Sequence, residues 1–317
     1  MTGLLRRVAR ANITLRVLLT IVVQSTPSIE GRAQELEPGA YSPAPTGANI
    51  VVVADSINSG DVTFDPSLPV TNGHANINAA ATGYVRTFGF LGRSASIAVL
   101  EPYLRGNFEG LYLGQPENVH RAAFGDPSLR LAINLFGAPA MTPKEFGSYQ
   151  PETVIGMSLV VVAPLGAYNS AQLINVGSNR WSFKPEVGVS RSSGPWTLEA
   201  DAGAWLFTDN TDFAGGKVRA QDPIGSAQMH AIYTIQPRMW IALSGTFYVG
   251  GRTTINGMQN FDLQQNTRFG VTFALPLTQQ QSVKLLYSRG AWTTVGADFQ
   301  TVGIQYQYVW LDRPSTP

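Results

Sequence analysis

Residues 302–310 read VGIQYQYVW, and this stretch near the C-terminus decides the fold. Apolar and aromatic side chains occupy every second position, at Val302, Ile304, Tyr306, Tyr308 and Trp310. A period of two sends these side chains to one side of a β-strand and the intervening glycine, glutamines and valine to the other. An apolar face ending in aromatic rings, opposite a largely polar face, is typical of a strand that crosses a lipid bilayer.

The composition of the 317-residue chain supports the same interpretation. Charged residues make up 14% of the sequence, against roughly 25% in ordinary soluble domains, while aromatic residues reach 10%. Mean hydropathy is close to zero, and the sequence contains no continuous apolar run of about 18 residues that would predict a transmembrane helix. Because alternating strands average out in this way, we predict an all-β chain that crosses the membrane as a barrel.

The N-terminus has the features of an export signal. Arginines at positions 6, 7, 10 and 16 precede the short apolar segment 17–23. Further along, Gly31 and Ala33 place small residues at a plausible cleavage point. Removal of residues 1–33 takes away five arginines and Glu30, which leaves 17 basic and 20 acidic residues and a net charge of −3. We therefore predict a signal peptide at 1–33 and no basic patch for nucleic acid. The proline- and glycine-rich residues 34–49 are predicted to form an N-terminal periplasmic extension, followed by a barrel at 50–310 and a tail at 311–317.

Twelve strand-like segments follow the extension, an even number, as single-chain bacterial barrels require. They span 50–57, 79–88, 94–106, 127–136, 153–163, 180–190, 195–207, 225–236, 238–249, 267–276, 281–289 and 298–310. The links between them alternate, with long odd links at 58–78, 107–126, 164–179, 208–224 and 250–266 and mostly short even links. This alternation predicts an antiparallel up-and-down barrel with short periplasmic turns and long extracellular loops, whereas a soluble sandwich has no reason for it. The fourth link, 137–152, is unusually long and is predicted to contain a helical turn near residues 143–146.

Charged side chains within the strands are predicted to face the lumen, because a charge at the lipid midplane costs roughly 2–4 kcal/mol. The candidates for the lumen or its constriction are Arg130, Lys184, Glu186, Glu199, Asp201, His230, Arg268 and Lys284. Strand parity also assigns Asp55, Arg86, Glu101 and Arg105 inward, although a bulge or Pro102 could shift the phase there. These groups either line a pore with a transverse field or neutralise one another inside a filled barrel. A twelve-stranded barrel lies between packed and water-filled sizes, so both possibilities stay open.

Aromatic residues near strand ends are predicted to lie at the membrane interface: Trp181, Trp196, Trp240, Tyr248, Tyr308 and Trp310. We predict neither catalysis nor a bound metal or cofactor. His230 shares its predicted face with Gln228 and Thr234 and therefore points away from lipid. A barrel phospholipase would instead need its histidine on the outer face. Glu199 and Asp201 are two residues apart on one face, and we expect them to join a charge network rather than an acid–base pair.

Several short motifs, taken in order, resemble one family of outer-membrane proteins. They are ELEP (35–38) with YSPAP (41–45), GRSA (92–95) with PY (102–103), FGDP (124–127), NLFGAP (134–139), APLG (163–166), NRW (179–181) with KPE (184–186), FTDN (207–210) and QDP (221–223). The family is named for the meta-pathway of phenol degradation, and the resemblance covers nearly all of the mature chain. It implies an outer-membrane barrel that passes small aromatic or hydrophobic molecules, and it supplies no catalytic residues.

We therefore expect passive uptake of small molecules, because no energy-coupling segment is visible. The expected partners are outer-membrane lipid and lipopolysaccharide, the barrel-assembly machinery through the C-terminal strand, and a small-molecule solute. Alternatives that stay open are a non-conducting structural or surface-binding barrel, a lipid-modifying barrel enzyme that uses Ser226 and His230, and a secreted soluble sandwich.

Overall fold

The computed structural model describes residues 36–63, 68–150 and 152–312. The predicted signal peptide and most of the predicted tail lie outside these residues. In the described part of the chain, no helix is long and apolar enough to cross a bilayer.

Strands make up most of the described chain. In chain order they are β1 (Ala48–Thr63), β2 (Val70–Phe90), β3 (Arg93–Tyr112), β4 (Gln115–Phe124), β5 (Ser128–Phe136), β6 (Thr153–Val162), β7 (Ser182–Ser193), β8 (Trp196–Phe207), β9 (Asn210–Phe213), β10 (Lys217–Gln221), β11 (Ile224–Gln236), β12 (Met239–Gly250), β13 (Thr253–Ile255), β14 (Met258–Gln259), β15 (Gln264–Pro276), β16 (Gln281–Trp292) and β17 (Gly296–Leu311). One short helix, α1 (Pro143–Phe146), lies between β5 and β6.

The large sheet closes into an antiparallel barrel. Strand β1 pairs with β2 on one side and with β17 on the other, so the first and last strands seal the cylinder. Strands β4 and β5 pair end to end with β3 and share one position in the wall, which gives twelve positions among the described strands. The predicted twelve-stranded up-and-down barrel is confirmed.

Two of the long links are not loops. Pairing of β1 with β2 continues to Val62 and Gly73, and β3 turns directly into β4 at Leu113 and Gly114, whose φ angles are 50° and 79°. Such a two-residue turn with positive φ angles matches the twist of a β-hairpin. The links predicted at 58–78 and 107–126 are therefore mostly extensions of the barrel strands. Two other links contribute β9, β10, β13 and β14 to a separate small sheet.

The link between β6 and β7 folds back against the break between β4 and β5. Asp126, buried in that break, accepts hydrogen bonds from the backbone N–H groups of Gly166 at 2.8 Å and Ser178 at 2.9 Å. The Asp126 carboxylate also accepts a hydrogen bond from the Ser178 hydroxyl at 2.7 Å. A carboxylate held by several donors fixes the loop strongly, because charge-assisted hydrogen bonds are the stronger kind.

Side chains of β17 alternate as predicted. Val302 and Ile304 are 59% and 50% exposed on the outer face, whereas Gln305 is 2% exposed inside the barrel. The same parity holds in β8, β11 and β15, whose exposed apolar residues lie opposite buried polar ones. The outside of the barrel is therefore an apolar surface suited to lipid.

The inward assignment of Asp55, Arg86, Glu101 and Arg105 is wrong. All four lie on the outward positions of β1, β2 and β3, whose inward positions carry small and aliphatic residues. The parity rule assumes a polar lumen face. It fails here because the inward positions of β1 to β3 are largely apolar, so the charged residues do not identify the inner face. Asp55 lies in register with Ala80 and Tyr103, at the level of the Tyr103–Phe124 ring pair, and receives a hydrogen bond from Asn78. Arg86, at the opposite end, pairs with Asp312 at 2.7 Å.

The extracellular half of the lumen contains two apolar clusters. Val62, Ile77, Leu104, Phe108 and Phe299 form a buried cluster with Val176 of the folded-back link. Across the barrel, Val162, Trp205, Ile224 and Tyr248 form another. Polar and charged side chains occupy the level below these clusters.

Candidate functional site

Side chains from neighbouring strands meet at the middle of the lumen. We call this group the charged waist: Arg130 on β5, Lys184 and Glu186 on β7, Glu199 and Asp201 on β8, and His230 on β11. Alternation places each on the inward face, and register brings them together because His230 lies opposite Glu199 while Asp201 lies opposite Gly188. Apart from Arg130, which is slightly more exposed, these residues are 7% exposed or less. The structure thus gathers six of the eight predicted lumen residues.

Two contacts join basic and acidic residues of the waist. Lys184 Nζ lies 2.8 Å from Glu186 Oε2, and His230 Nε2 lies 3.6 Å from Asp201 Oδ2. The other ring nitrogen of His230 is hydrogen-bonded to the Ser244 hydroxyl at 2.8 Å. Pairing offsets much of the desolvation cost of placing charges away from bulk water.

Ser244, His230 and Asp201 have the residue types of a hydrolase triad but not its surroundings. The serine lies on Nδ1 and the aspartate on Nε2, the reverse of the usual arrangement. Strand β12, which carries Ser244, is paired with β11 and β15 along its length, so its backbone N–H groups serve the sheet ladders rather than an oxyanion. This geometry orients the imidazole. Among the described residues, no cluster of three or more His, Cys, Asp or Glu could hold a metal ion.

A segment of chain that precedes the barrel runs through the lumen. We call residues 36–47 the N-terminal strap; its Leu36, Tyr41 and Ala44 are buried. The backbone N–H of Gly39 donates to Glu199 Oε2 at 2.6 Å, and Glu37 lies 3.9 Å from Arg130. The Tyr41 hydroxyl donates to Glu186 Oε1 at 3.1 Å. The strap therefore contacts the charged waist at several points.

Glycines in the wall make room for the strap. Gly156 on β6 lies directly opposite Gly188 on β7, and both face the lumen. A Cβ atom at Gly156 would lie 2.2 Å from Tyr41 Cδ1, and one at Gly188 would lie 2.3 Å from Tyr41 Cε2. A third inward glycine, Gly270 on β15, leaves space for Leu36 in the same way. We call the Gly156–Gly188 pair the glycine notch; side chains larger than hydrogen would exclude the Tyr41 ring.

The strap and its seat are not evident from the sequence. The strap has no periodicity, and its contacts are remote in sequence; Gly39 and Glu199 are 160 residues apart. The available signal was a pair of glycines at inward positions of adjacent strands, which indicates close approach of another group. Tyr41 belongs to the YSPAP motif (41–45), which indicates the family resemblance but not a position inside the barrel.

Arg268 and Lys284 face the lumen but lie away from the charged waist. Arg268 donates to the Phe299 carbonyl at 2.7 Å, to Thr301 Oγ1 at 2.8 Å and to Ser288 Oγ at 3.0 Å. The ammonium of Lys284 lies 5.9 Å from the centre of the Trp240 ring. Both cations are held against the wall of β15 to β17 and β12.

Four of the aromatic residues predicted for the interface lie on the outer face, namely Trp181, Trp196, Tyr308 and Trp310. Trp240 and Tyr248 do not: they occupy inward positions of β12 and are 6% and 1% exposed. The interfacial prediction is wrong for these two because proximity to a strand end does not fix the face. Trp240 and Tyr248 instead line the lumen.

Comparisons with known proteins agree with this architecture. The sequence profile of the family described as "Putative MetA-pathway of phenol degradation" matches residues 44–308. The chain belongs to this family. Among solved structures, it is similar to an outer membrane channel from Pseudomonas putida F1, with 22% identity, a TM-score of 0.74, and coverage of 87% of this chain and 100% of that one.

More distant similarity extends to other barrels. The CymD monoaromatic hydrocarbon channel shares 8% identity over 86% of this chain and 90% of its own, with a TM-score of 0.43. The TodX monoaromatic hydrocarbon channel shares 11% identity over 86% of this chain and 91% of its own, with a TM-score of 0.44. No curated protein matches the chain. Family membership and the closed barrel identify an outer-membrane β-barrel, as predicted.

Proposed function

We propose that this protein is a passive channel for small, weakly polar molecules and that the N-terminal strap closes it. The observation that carries the proposal is the nature of the closure. The Tyr41 ring in the glycine notch and a few polar contacts hold the strap, which is not part of the barrel wall. A closure made by a separate segment can be withdrawn without unfolding the wall.

The lining supports a solute with an apolar body and a polar group. From the extracellular side, such a molecule would meet the apolar clusters around Phe108, Phe299 and Trp205. It would then meet the charged waist, where opposed charges favour a polar substituent. Small aromatic compounds meet both requirements, and the family description, which refers to phenol degradation, points to the same class. The proposal includes lipid and lipopolysaccharide around the apolar outer face and recognition of β17 by the barrel-assembly machinery.

A non-conducting barrel is the second candidate. The observation in its favour is that the waist is buried and that Lys184 is paired with Glu186, as in a barrel filled for stability. On this alternative the strap would be a permanent part of the core, and its removal would unfold the protein instead of opening it.

Planar-bilayer recordings separate the two candidates. The mature protein is compared with Tyr41→Ala and with a deletion of residues 34–44, which ends where the family match begins. We expect folded variants with increased open time and faster flux of phenol into liposomes. Folded variants that stay sealed would refute the channel proposal.

Charge variants then test the route. We expect Arg130→Ala in the waist to change ion selectivity, whereas Arg105→Ala, which removes the same side chain from an outward position, leaves it unchanged. Equal effects of the two substitutions would argue against passage through the waist. Ester hydrolysis that is lost in Ser244→Ala would instead revive an enzymatic function.

A further inference from the structure

The periplasmic end of the lumen holds a cavity of about 680 Å³. We call it the periplasmic vestibule; its wall consists of inward residues of β7, β8, β11 and β12, and Pro38 and Gly39 of the strap contribute to it. Sites for small molecules usually have volumes of about 300–1,000 Å³. The vestibule is therefore large enough for a small ligand beside the strap.

Aromatic and aliphatic side chains line much of the vestibule: Phe146, Tyr149, Ile232 and Trp240. The first two come from the unusually long periplasmic link between β5 and β6. Their rings are stacked at an interplanar angle of 25° with centroids 6.3 Å apart. The link thus places two flat apolar surfaces at the mouth of the lumen, facing the barrel wall.

The link that carries these rings is rigidly built. Thr142 and Glu145 form a reciprocal capping box on α1, and Pro143 occupies its first turn. The Tyr149 hydroxyl donates a hydrogen bond to the carbonyl of Gly137. A preorganised aromatic surface loses little entropy when a ligand binds, so the construction of the link suits ligand binding.

The charged groups of the vestibule disfavour an anion. Glu199 and Glu152 both belong to its wall, and one oxygen of Glu199 already accepts the Gly39 N–H. The guanidinium of Arg238 donates to the carbonyls of Thr278 at 2.5 Å and Gln281 at 3.4 Å. The described wall therefore carries two carboxylates and one guanidinium, whose Nη groups point to backbone carbonyls, and the Lys284 ammonium lies 5.9 Å from the Trp240 ring centre.

We propose that the periplasmic vestibule binds a neutral hydroxylated aromatic molecule of the phenol or catechol class. Its ring packs between the Phe146–Tyr149 pair and Trp240, and its hydroxyl donates a hydrogen bond to Glu199. This inference rests on the proposed channel function and specifies its last solute site before the periplasm. Because Glu199 also accepts the Gly39 N–H, solute and strap share one carboxylate.

Calorimetric titration and saturation-transfer NMR of the purified full-length mature protein test the site, with phenol, benzoate and benzylammonium as probes. We expect saturable phenol binding and at least about tenfold weaker benzoate binding, because of carboxylate repulsion. Phe146→Ala should raise the Kd for phenol about three- to tenfold, the range for loss of one aromatic partner. Phe136→Ala, at an exposed position outside the vestibule, is the matched control and should leave the Kd unchanged.

A second variant keeps the shape of the site. Glu199→Gln should weaken phenol binding modestly and strengthen benzoate binding, which loss of folding cannot produce. Tighter binding of benzylammonium than of phenol, or a Phe146→Ala variant that matches Phe136→Ala, would overturn the proposal. Conductance without saturable phenol binding refutes the vestibule site alone, whereas binding by a folded Tyr41→Ala variant that does not conduct supports the site and refutes the channel.

Discussion

Gly156→Ala should open the barrel by adding a single methyl group. The new Cβ would lie 2.2 Å from Tyr41 Cδ1, whereas ordinary van der Waals contact begins at 3.4 Å, so the ring would have to retreat by about 1.2 Å. It cannot retreat freely, because the Tyr41 hydroxyl is hydrogen-bonded to Ser158 Oγ and to Glu186 Oε1, each at 3.1 Å. The clash exists only while the strap is seated, so it destabilises the closed state and spares the open one.

The expected effect of Gly156→Ala is a change in the ratio of closed to open barrels. Overpacking of a fitted site costs about 1–3 kcal/mol, which corresponds to roughly a 5- to 150-fold fall in the ratio of closed to open barrels. Single-channel recordings should show longer open times, and limited proteolysis should cleave the strap faster.

The matched control is Gly225→Ala on the outward face of β11, where the added Cβ would have its nearest neighbour at an ordinary 3.6 Å. A Gly156→Ala protein that behaves like Gly225→Ala in both assays would refute the reasoning. The Cβ at Gly156 would also approach Asn134 Oδ1 at 2.8 Å. Gly156→Ala is therefore repeated in a Tyr41→Ala background, where it should have no further effect on gating; a persisting effect would locate its action in the wall.

Three further predictions concern other parts of the molecule. Lys184→Met should destabilise the barrel by about 3–5 kcal/mol in denaturant unfolding, because Glu186 loses its 2.8 Å partner inside the protein, and the Lys184→Met, Glu186→Gln double variant should recover part of the loss. Asp126→Ala should increase hydrogen exchange and proteolysis in the link between β6 and β7 without changing the barrel strands; unchanged protection would contradict its anchoring role. Hydrogen bonds from the Thr142 backbone N–H and hydroxyl hold the pKa of Glu145 below its usual range, so their contribution to α1 is present at neutral pH and is lost as the pH falls through that lowered pKa. Thr142→Ala should return the pKa of Glu145 toward its ordinary value in a carboxyl NMR titration.

The sequence was most informative where one side of a strand is charged and the other apolar. Strands β7, β8 and β11 place Lys184, Glu199 and His230 inside, as period-two alternation predicts, because a charge at the lipid midplane is costly. The helical turn at α1 was also predictable, since Thr142, Pro143 and Glu145 form a local start signal. These features depend on neighbours within a few residues.

Prediction failed where the lumen itself is apolar. Strands β1 to β3 carry Val52, Ile77 and Leu104 inside, so their charges could not indicate the inner face. The strap was out of reach for a different reason. Its position depends on the distance across a closed cylinder and on contacts with Glu186 and Glu199, which no local pattern in residues 36–47 encodes.

The location of the glycine notch determines when the barrier can form during biogenesis. Tyr41 precedes β1 in the chain, but its seat lies in β6 and β7, on strands that must already be paired before a ring can lodge between them. The strap can therefore dock only after β6 and β7 have paired, so formation of the barrier has to follow assembly of that part of the wall.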